Sequence, residues 1–387
     1  MVRVPTKQSF GNFDVFLRTT RCANINGCAL KGFPLLLSSR YEVDWLSLEY
    51  FIELERHSAV SSIRLYASHL NDFLSQVAVD GSSVDAISDN WLTAYKRALT
   101  KRENSSGIRN SENYASQVLR TVIHYLYWLE ENKYIRGVVG ENKRNKVRIK
   151  KTPRGIRHPL SNERKPTQKQ SVTPRGEWIA AVKAYGPMRE DLAIRFELMI
   201  DWGRSAGLRA KEICYLKVNQ MPLRKTAERA LVEGRNVYVD LRITKGGKPA
   251  KIPVSPLLIQ KTWDYIDIFR VDVVSFFSQK AKRKYEVYED PGLIFLSSKT
   301  GRSISPRSFS NSIRKAFLSA VEDGELTIDE RVWTHGLRHN FTANLLKGLD
   351  SNGVKRPEAI ARQVTRHGSE NAMEPYLTDR FNEDFDG

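Results

Sequence analysis

Cysteine is scarce in this 387-residue chain: Cys22, Cys28 and Cys214 are the only three, and no CxxC pair occurs. Scattered thiols exclude a disulfide scaffold and a cysteine zinc site, and they suit a reducing compartment. No stretch approaches the roughly eighteen consecutive apolar residues of a membrane span. Met1 to Phe10 lacks the apolar centre of a secretory leader, so a cytoplasmic chain is expected. Acidic residues are also in deficit: 44 Asp and Glu against 62 Lys and Arg leave a formal charge of +18. A surplus of this size is the electrostatic footprint of nucleic-acid binding, because each cation set on a phosphate releases condensed counterions. Ribosomal and membrane-surface proteins share it, so it sets the class of partner and nothing finer. Hydrophobic content of 41% and charged content of 27% are those of a globular protein. The length leaves room for two domains, each with its own core.

From Tyr41 to Ile135 the apolar residues recur at helical spacing. Trp45, Leu48, Phe51, Ile52 and Glu55 step round one helix. Ile63, Tyr66, Ala67, Leu70, Phe73, Leu74 and Val77 form a second at the i, i+3, i+4, i+7 spacing. Trp91 to Leu99 makes a third, and Tyr114, Val118, Thr121, Val122, Tyr125, Leu126 and Leu129 make the longest. Four helices without a clear strand predict a small all-α domain over 41–135, preceded at 1–40 by an arm or short extension.

Composition changes at Arg136. Lys143, Arg144, Lys146, Arg148, Lys150 and Lys151 lead a basic run that only Glu141 and Glu163 oppose, and Pro153, Pro159 and Pro166 break any helix. The reading is an extended basic linker over 136–172. Charge runs are commonly solvated tethers; the position between two basic domains favours a strap along DNA phosphates. Beyond Thr173 the pattern is mixed. Pro174 with Trp178, Ile179 and Val182 starts a helix, and Leu192 to Asp201 continues helically. Asn236 to Thr244 alternates like a strand, with Ile252 to Val254 as its return and Lys245-Gly246-Gly247-Lys248 as the turn. Helical spacing resumes at Pro256 to Phe277, Pro306 to Val321, His335 to Leu346 and Pro357 to Val364. Residues 173–387 therefore read as a mainly helical domain with one small β-hairpin.

Four features of this second half carry chemistry in a fixed order. Gly207-Leu208-Arg209 is followed by Glu212; Lys245 sits on the hairpin turn; His335 and Arg338 are three apart in His-Gly-Leu-Arg-His; and His367 precedes Tyr376 by nine residues. Each alone is weak, since a hairpin lysine is usually solvated and a histidine near a helix start usually caps or packs. Together they form the set that breaks a phosphodiester without a metal. Arginine forks stabilise charge on the non-bridging oxygens. A tyrosine oxygen attacks once its proton is shared, and a mobile ammonium protonates the leaving sugar oxygen.

In this order the residues resemble the tyrosine recombinase (phage integrase, Xer-like) family, and the resemblance spans both domains. It places the first arginine at Arg209 with Glu212 as its acidic companion, and the hairpin lysine at Lys245. The His-x-Leu-Arg-His box falls on His335, Leu337, Arg338 and His339, the later histidine on His367, and the nucleophile on Tyr376. One departure is Thr365-Arg366-His367, where relatives often have Leu-Gly-His. The resemblance implies a core-binding (SAM-like) domain followed by a catalytic domain of the DNA breaking-rejoining fold. It also implies double-stranded DNA as partner, a homotetramer on two DNA sites, and a mobile genetic element as the setting. No cofactor, metal, membrane or small-molecule substrate is expected. A type IB topoisomerase and a catalytically inert DNA-binding accessory protein are the competing readings.

Overall fold

In the computed structural model, which describes residues 15–103, 107, 109–153, 155–162, 172–242 and 249–366, the chain divides into two units, Met1–Gln168 and Lys169–Gly387. The fold is mainly α. No helix among the described residues is long and apolar enough to cross a membrane.

The first unit opens with β1 (Phe16–Thr19), β2 (Ala23–Ile25), β3 (Cys28–Leu30) and β4 (Pro34–Leu37). β1 pairs antiparallel with β4, and β2 with β3. Asn26 and Gly27, both at positive φ, turn β2 into β3, the conformation that Asn-Gly hairpins adopt most readily. Four helices follow among the described residues: α1 (Trp45–Glu55), α2 (Val60–Val79), α3 (Asp89–Lys101) and α4 (Glu112–Glu131). The periodicity dictates what they bury: Ile63, Ala67, Leu70, Phe73, Leu74 and Val77 of α2 meet Val118, Val122, Tyr125, Leu126 and Leu129 of α4 in one core. Ser88 and Ser111 cap α3 and α4 by accepting the backbone N–H groups of Trp91 and Tyr114, each cap worth about 1 kcal/mol.

Two expectations for this half are corrected. The described part of 1–40 is no free arm: Phe33 and Leu36 are buried in the helical core, so the β1–β4 pair belongs to the domain. Nor is 136–162 an extended linker. It forms the short strands β5 (Val139–Gly140), β6 (Val147–Arg148), β7 (Lys150–Thr152) and β8 (Gly155–Arg157). Val138, Val139, Val147 and Ile149 are buried against α4 and its neighbours, and this apolar content outweighs the charge run. The Glu130 carboxylate accepts the backbone N–H groups of Gly137, Val138 and Val139 at 2.7, 2.9 and 3.1 Å, which fixes the turn out of α4. Further on, His158 Nε2 bonds Asp89 at 2.8 Å and Lys96 donates to the Leu160 carbonyl at 2.9 Å.

The second unit contains α5 (Gly176–Ala184), α6 (Glu190–Ala206), α7 (Ala210–Cys214) and α8 (Arg224–Val232), then β9 (Val237–Leu241) and β10 (Ala250–Val254). The two strands pair antiparallel with Ile252 opposite Val239, the hairpin that the alternation predicts. After them come α9 (Pro256–Tyr265), a π-helical turn at Ile266–Arg270, α10 (Val271–Lys282), α11 (Pro306–Glu322), α12 (Thr334–Ser351) and α13 (Pro357–Thr365). Trp202 of α6 is fully buried at the centre and donates its indole N–H to Thr262 of α9 at 3.1 Å. Closest packing is between α6 and α12, where a Cβ on Gly203 would lie 2.8 Å from the Leu337 side chain.

Candidate active site

Arg209 owes its position to the end of α6. Gly207 closes that helix at φ +62°, and a Cβ there would lie 2.5 Å from the Phe341 ring of α12. Left-handed backbone and close approach together demand glycine. Leu208 is buried, and Arg209 caps α7. Glu212, one turn into α7, accepts the Arg209 backbone N–H at 2.9 Å and its guanidinium at 3.0 Å. The Gly-Leu-Arg-x-x-Glu spacing is thus a turn whose acidic residue orients its arginine. Arg209 keeps 25% of its side chain exposed, whereas Glu212 keeps 2%.

The second arginine comes from the first turn of α12. Gly336 lets that turn approach the other chain segment: a Cβ there would lie 2.7 Å from Pro174. Asn340 donates to the Pro174 carbonyl at 2.9 Å from one turn further on. Arg338 is fully buried; one terminal nitrogen donates to the Gly207 carbonyl at 2.7 Å and the other to the Thr365 carbonyl. The spacing predicts that His335 and Arg338 share a face, and here the structure differs. Arg338 turns inward to these carbonyls, while His335 stays exposed with its ring edge-on to His339 at 4.7 Å. Burial, then the neighbouring His335 and Arg338, lower the His339 pKa to about 4, so this imidazole is neutral near pH 7.

A third guanidinium joins the cluster. Arg366 closes α13 in the left-handed conformation and forks onto Glu212, at 3.2 Å to Oε1 and 3.0 Å to Oε2. Sequence reasoning missed this role: Arg366 stood out only as a departure from the glycine that relatives often carry. Among the described residues, Arg209 and Arg366 share the one Glu212 carboxylate, and Arg338 lies beside them on the Gly207 carbonyl. Two guanidiniums on one carboxylate in partly buried surroundings favour an anion. No group of three or more His, Cys, Asp or Glu side chains among the described residues could hold a metal ion. Lys245, His367 and Tyr376 lie outside the described residues. Their neighbours in the sequence are placed: β9 ends before Lys245 and β10 begins after it, and Arg366 directly precedes His367.

The basic run in the first unit is partly satisfied internally. Lys146 donates to the Asp85 carbonyl at 2.8 Å, Arg148 lies 3.7 Å from Asp89, and Lys151 lies 3.5 Å from Glu131 and over the Tyr127 ring. Lys143, Arg144 and Lys150 are exposed, and no carboxylate partners them among the described residues.

Comparisons with known proteins bear on the second unit above all. The profile of the phage integrase family matches residues 177–356. No curated protein sequence matches the chain. Among solved structures, a XerH site-specific recombinase bound to palindromic difH substrate is 15% identical, with a TM-score of 0.52 over 85% of this chain and 80% of that one. A lambda integrase dimer bound to a COC' core site is 12% identical, with a TM-score of 0.52 over 86% and 93%. The Tn1549 transposon integrase with circular intermediate DNA is also 12% identical, at 0.51 over 86% and 94%. At these identities the likeness is one of fold. Residues 177–356, which hold Arg209, Glu212, His335, Arg338 and His339, are the part of the chain that matches the phage integrase family.

Proposed function

We propose that the chain is a site-specific DNA recombinase or integrase of a mobile genetic element, which cleaves and rejoins duplex DNA through a covalent bond to Tyr376. The observation that carries this reading is the pair of Arg209 and Arg366 on Glu212, with Arg338 on the adjoining Gly207 carbonyl, within the segment that matches the phage integrase family. The second unit is the catalytic domain, and the first holds the duplex, at the nucleoid. The Tyr376 oxygen attacks the scissile phosphorus, forming a 3′-phosphotyrosyl bond and releasing a 5′-oxygen that Lys245 protonates. His335, exposed beside neutral His339, accepts the phenol proton. Arg209, with a quarter of its side chain open to solvent, donates to the non-bridging oxygens as charge builds there. Arg338, whose terminal nitrogens are held by carbonyls, positions the Gly207 turn beneath Arg209 and adds its charge to the field. His367 hydrogen-bonds the phosphate. A 5′-hydroxyl of a second duplex then attacks the phosphotyrosine and restores a phosphodiester. One phosphoester replaces another at each step, so the reaction balances without a nucleotide cofactor. Four protomers on two sites exchange strands in pairs. The fold neighbours were captured on DNA, one of them after cleavage.

The test uses duplexes from the DNA flanking the gene, nicked close to candidate cleavage points so that the short product diffuses away. The wild-type chain is expected to become trapped as a detergent-resistant adduct, and Tyr376→Phe to bind the same duplex without forming one. An adduct that persists in the variant removes Tyr376 from the mechanism. Relaxation of any supercoiled plasmid without joining of two duplexes would instead favour the topoisomerase reading.

A further inference from the structure

The β2–β3 hairpin of the first unit has no role in the chemistry above, yet its surface is unusual in charge. Val15 to Tyr41 contains Arg18, Arg21, Lys31 and Arg40 and no Asp or Glu. The pleat divides the hairpin into two faces. Ala23, Ile25 and Leu30 pack on the helical core, so the opposite face shows Asn24 paired with Ala29, then Cys22 and Lys31, all exposed. Its base is held rigidly: Thr20 donates to the Phe33 carbonyl at 2.9 Å and accepts the Gly32 N–H at 3.0 Å. Gly32, at φ +70°, leaves room for a guanidinium from α2. A Cβ at 32 would lie 3.3 Å from Arg64 Nη1, so Arg64 lies flat against the hairpin's return. Arg18, Arg21, Lys31 and Arg64 are exposed, and no carboxylate partners any of them among the described residues. Lys183 and Arg270, by contrast, each have an Asp partner at 2.7 and 2.6 Å.

We infer that this hairpin is a further DNA-contacting element, which lays Arg18, Arg21, Lys31 and Arg64 along the phosphates of the duplex that the recombinase reading supplies. Unpaired cations on a preformed, acid-free ribbon match a polyanion and repel a basic protein surface. A two-stranded ribbon is also narrow enough for the major groove of B-form DNA. Contacts of this kind are to the backbone, so they add affinity for every sequence alike and position the first unit without reading bases.

The hairpin's own cysteines make the test direct. Cys22 and Cys28 are exposed, whereas Cys214 is buried with its thiol pushed up to about 12, so alkylation reports on the hairpin with Cys214 as internal control. Saturating duplex is expected to slow alkylation of Cys22 while Cys214 stays unlabelled throughout. In Cys28→Ser, an iron chelate attached to Cys22 is expected to cut the bound duplex at one defined position. Arg21→Gln with Lys31→Gln is expected to lower the slope of log affinity against log salt by about 2, at about 0.9 per phosphate contact. Equal alkylation with and without DNA overturns the proposal. Protection without cutting overturns it too, and assigns the surface to a second copy of the chain. Adduct formation by the wild-type chain on the nicked duplex is scored separately, so failure of the hairpin is distinguishable from failure of the recombinase reading.

Discussion

Each oxygen of Glu212 serves two arginines: Oε1 accepts from the Arg209 and Arg366 side chains, and Oε2 from the Arg209 backbone and the other arm of Arg366. Replacing one oxygen by an amide turns an acceptor into a donor facing guanidinium donors and removes the one carboxylate that the described residues bring to the contact. Glu212→Gln is therefore expected to cost about 2–4 kcal/mol of stability and to slow adduct formation on nicked DNA. A urea midpoint equal to wild type would show that this network does not hold the site. His339 makes a second residue-level expectation. Its folded pKa of about 4 lies below the ordinary 6.5, so the unfolded chain takes up that proton first as the solution is acidified. The stability it contributes is complete above pH 6.5 and is lost as pH falls from 6.5 towards 4. Urea midpoints at pH 7 and pH 5 are expected to fall on acidification, and less so in His339→Gln. His69 and His124, also lowered by burial, act in the same direction. The same fall in both proteins would mean that His339 titrates normally.

Among the elements, the helices were legible because a 3.6-residue period repeats several times within each: α2 and α4 bury the positions that their spacing marks. The short strands were not. β5 and β6 have two residues each, too few to show alternation, and they exist because Val139 and Val147 find a core already formed by helices. Charge density hid them, since it describes the exposed residues and says nothing of the apolar ones between. That distinction decides which cations of the run face DNA. Lys143→Gln, Arg144→Gln and Lys150→Gln together are expected to lower the slope of log affinity against log salt by about 3 on specific and random duplexes alike, at about 0.9 per phosphate contact. Lys146→Gln, Arg148→Gln and Lys151→Gln, whose wild-type side chains bond the protein, are expected to change the slope less and to lower the urea midpoint. A slope unchanged by the first triple substitution would return the run to the status of a solvated surface.

For the whole molecule, order was more informative than any local pattern. Arg209, Glu212, His335, Arg338 and His339 were named because their types recur in one sequence of roles, and the fold gathers Arg209, Glu212 and Arg338 around the Gly207 turn. Arg366 was not legible, because one more basic residue in a chain of charge +18 carries no pattern until a buried carboxylate is seen opposite it. The inward turn of Arg338 was equally hidden, since a helical repeat fixes direction round an axis and not which side is occupied. In the proposed reaction the guanidiniums of this cluster would supply the electrostatic stabilisation for which many nucleases use divalent ions. Adduct formation on nicked duplex is accordingly expected to continue in excess EDTA. Loss of the adduct with chelator and its return with magnesium would replace the proposed chemistry.

The fork of Arg338 also sets a length. By holding the Thr365 carbonyl it pins the point from which the chain runs on to Tyr376. Tyr376 is the eleventh residue beyond Thr365, and such a stretch spans at most about 40 Å when fully drawn out. On the proposed reading, the reach of the attacking oxygen is therefore measured from the same clasp that steadies the arginine turn. Any phosphate that Tyr376 attacked, on its own half-site or a neighbour's, would have to fall within the sphere that this chain length sets.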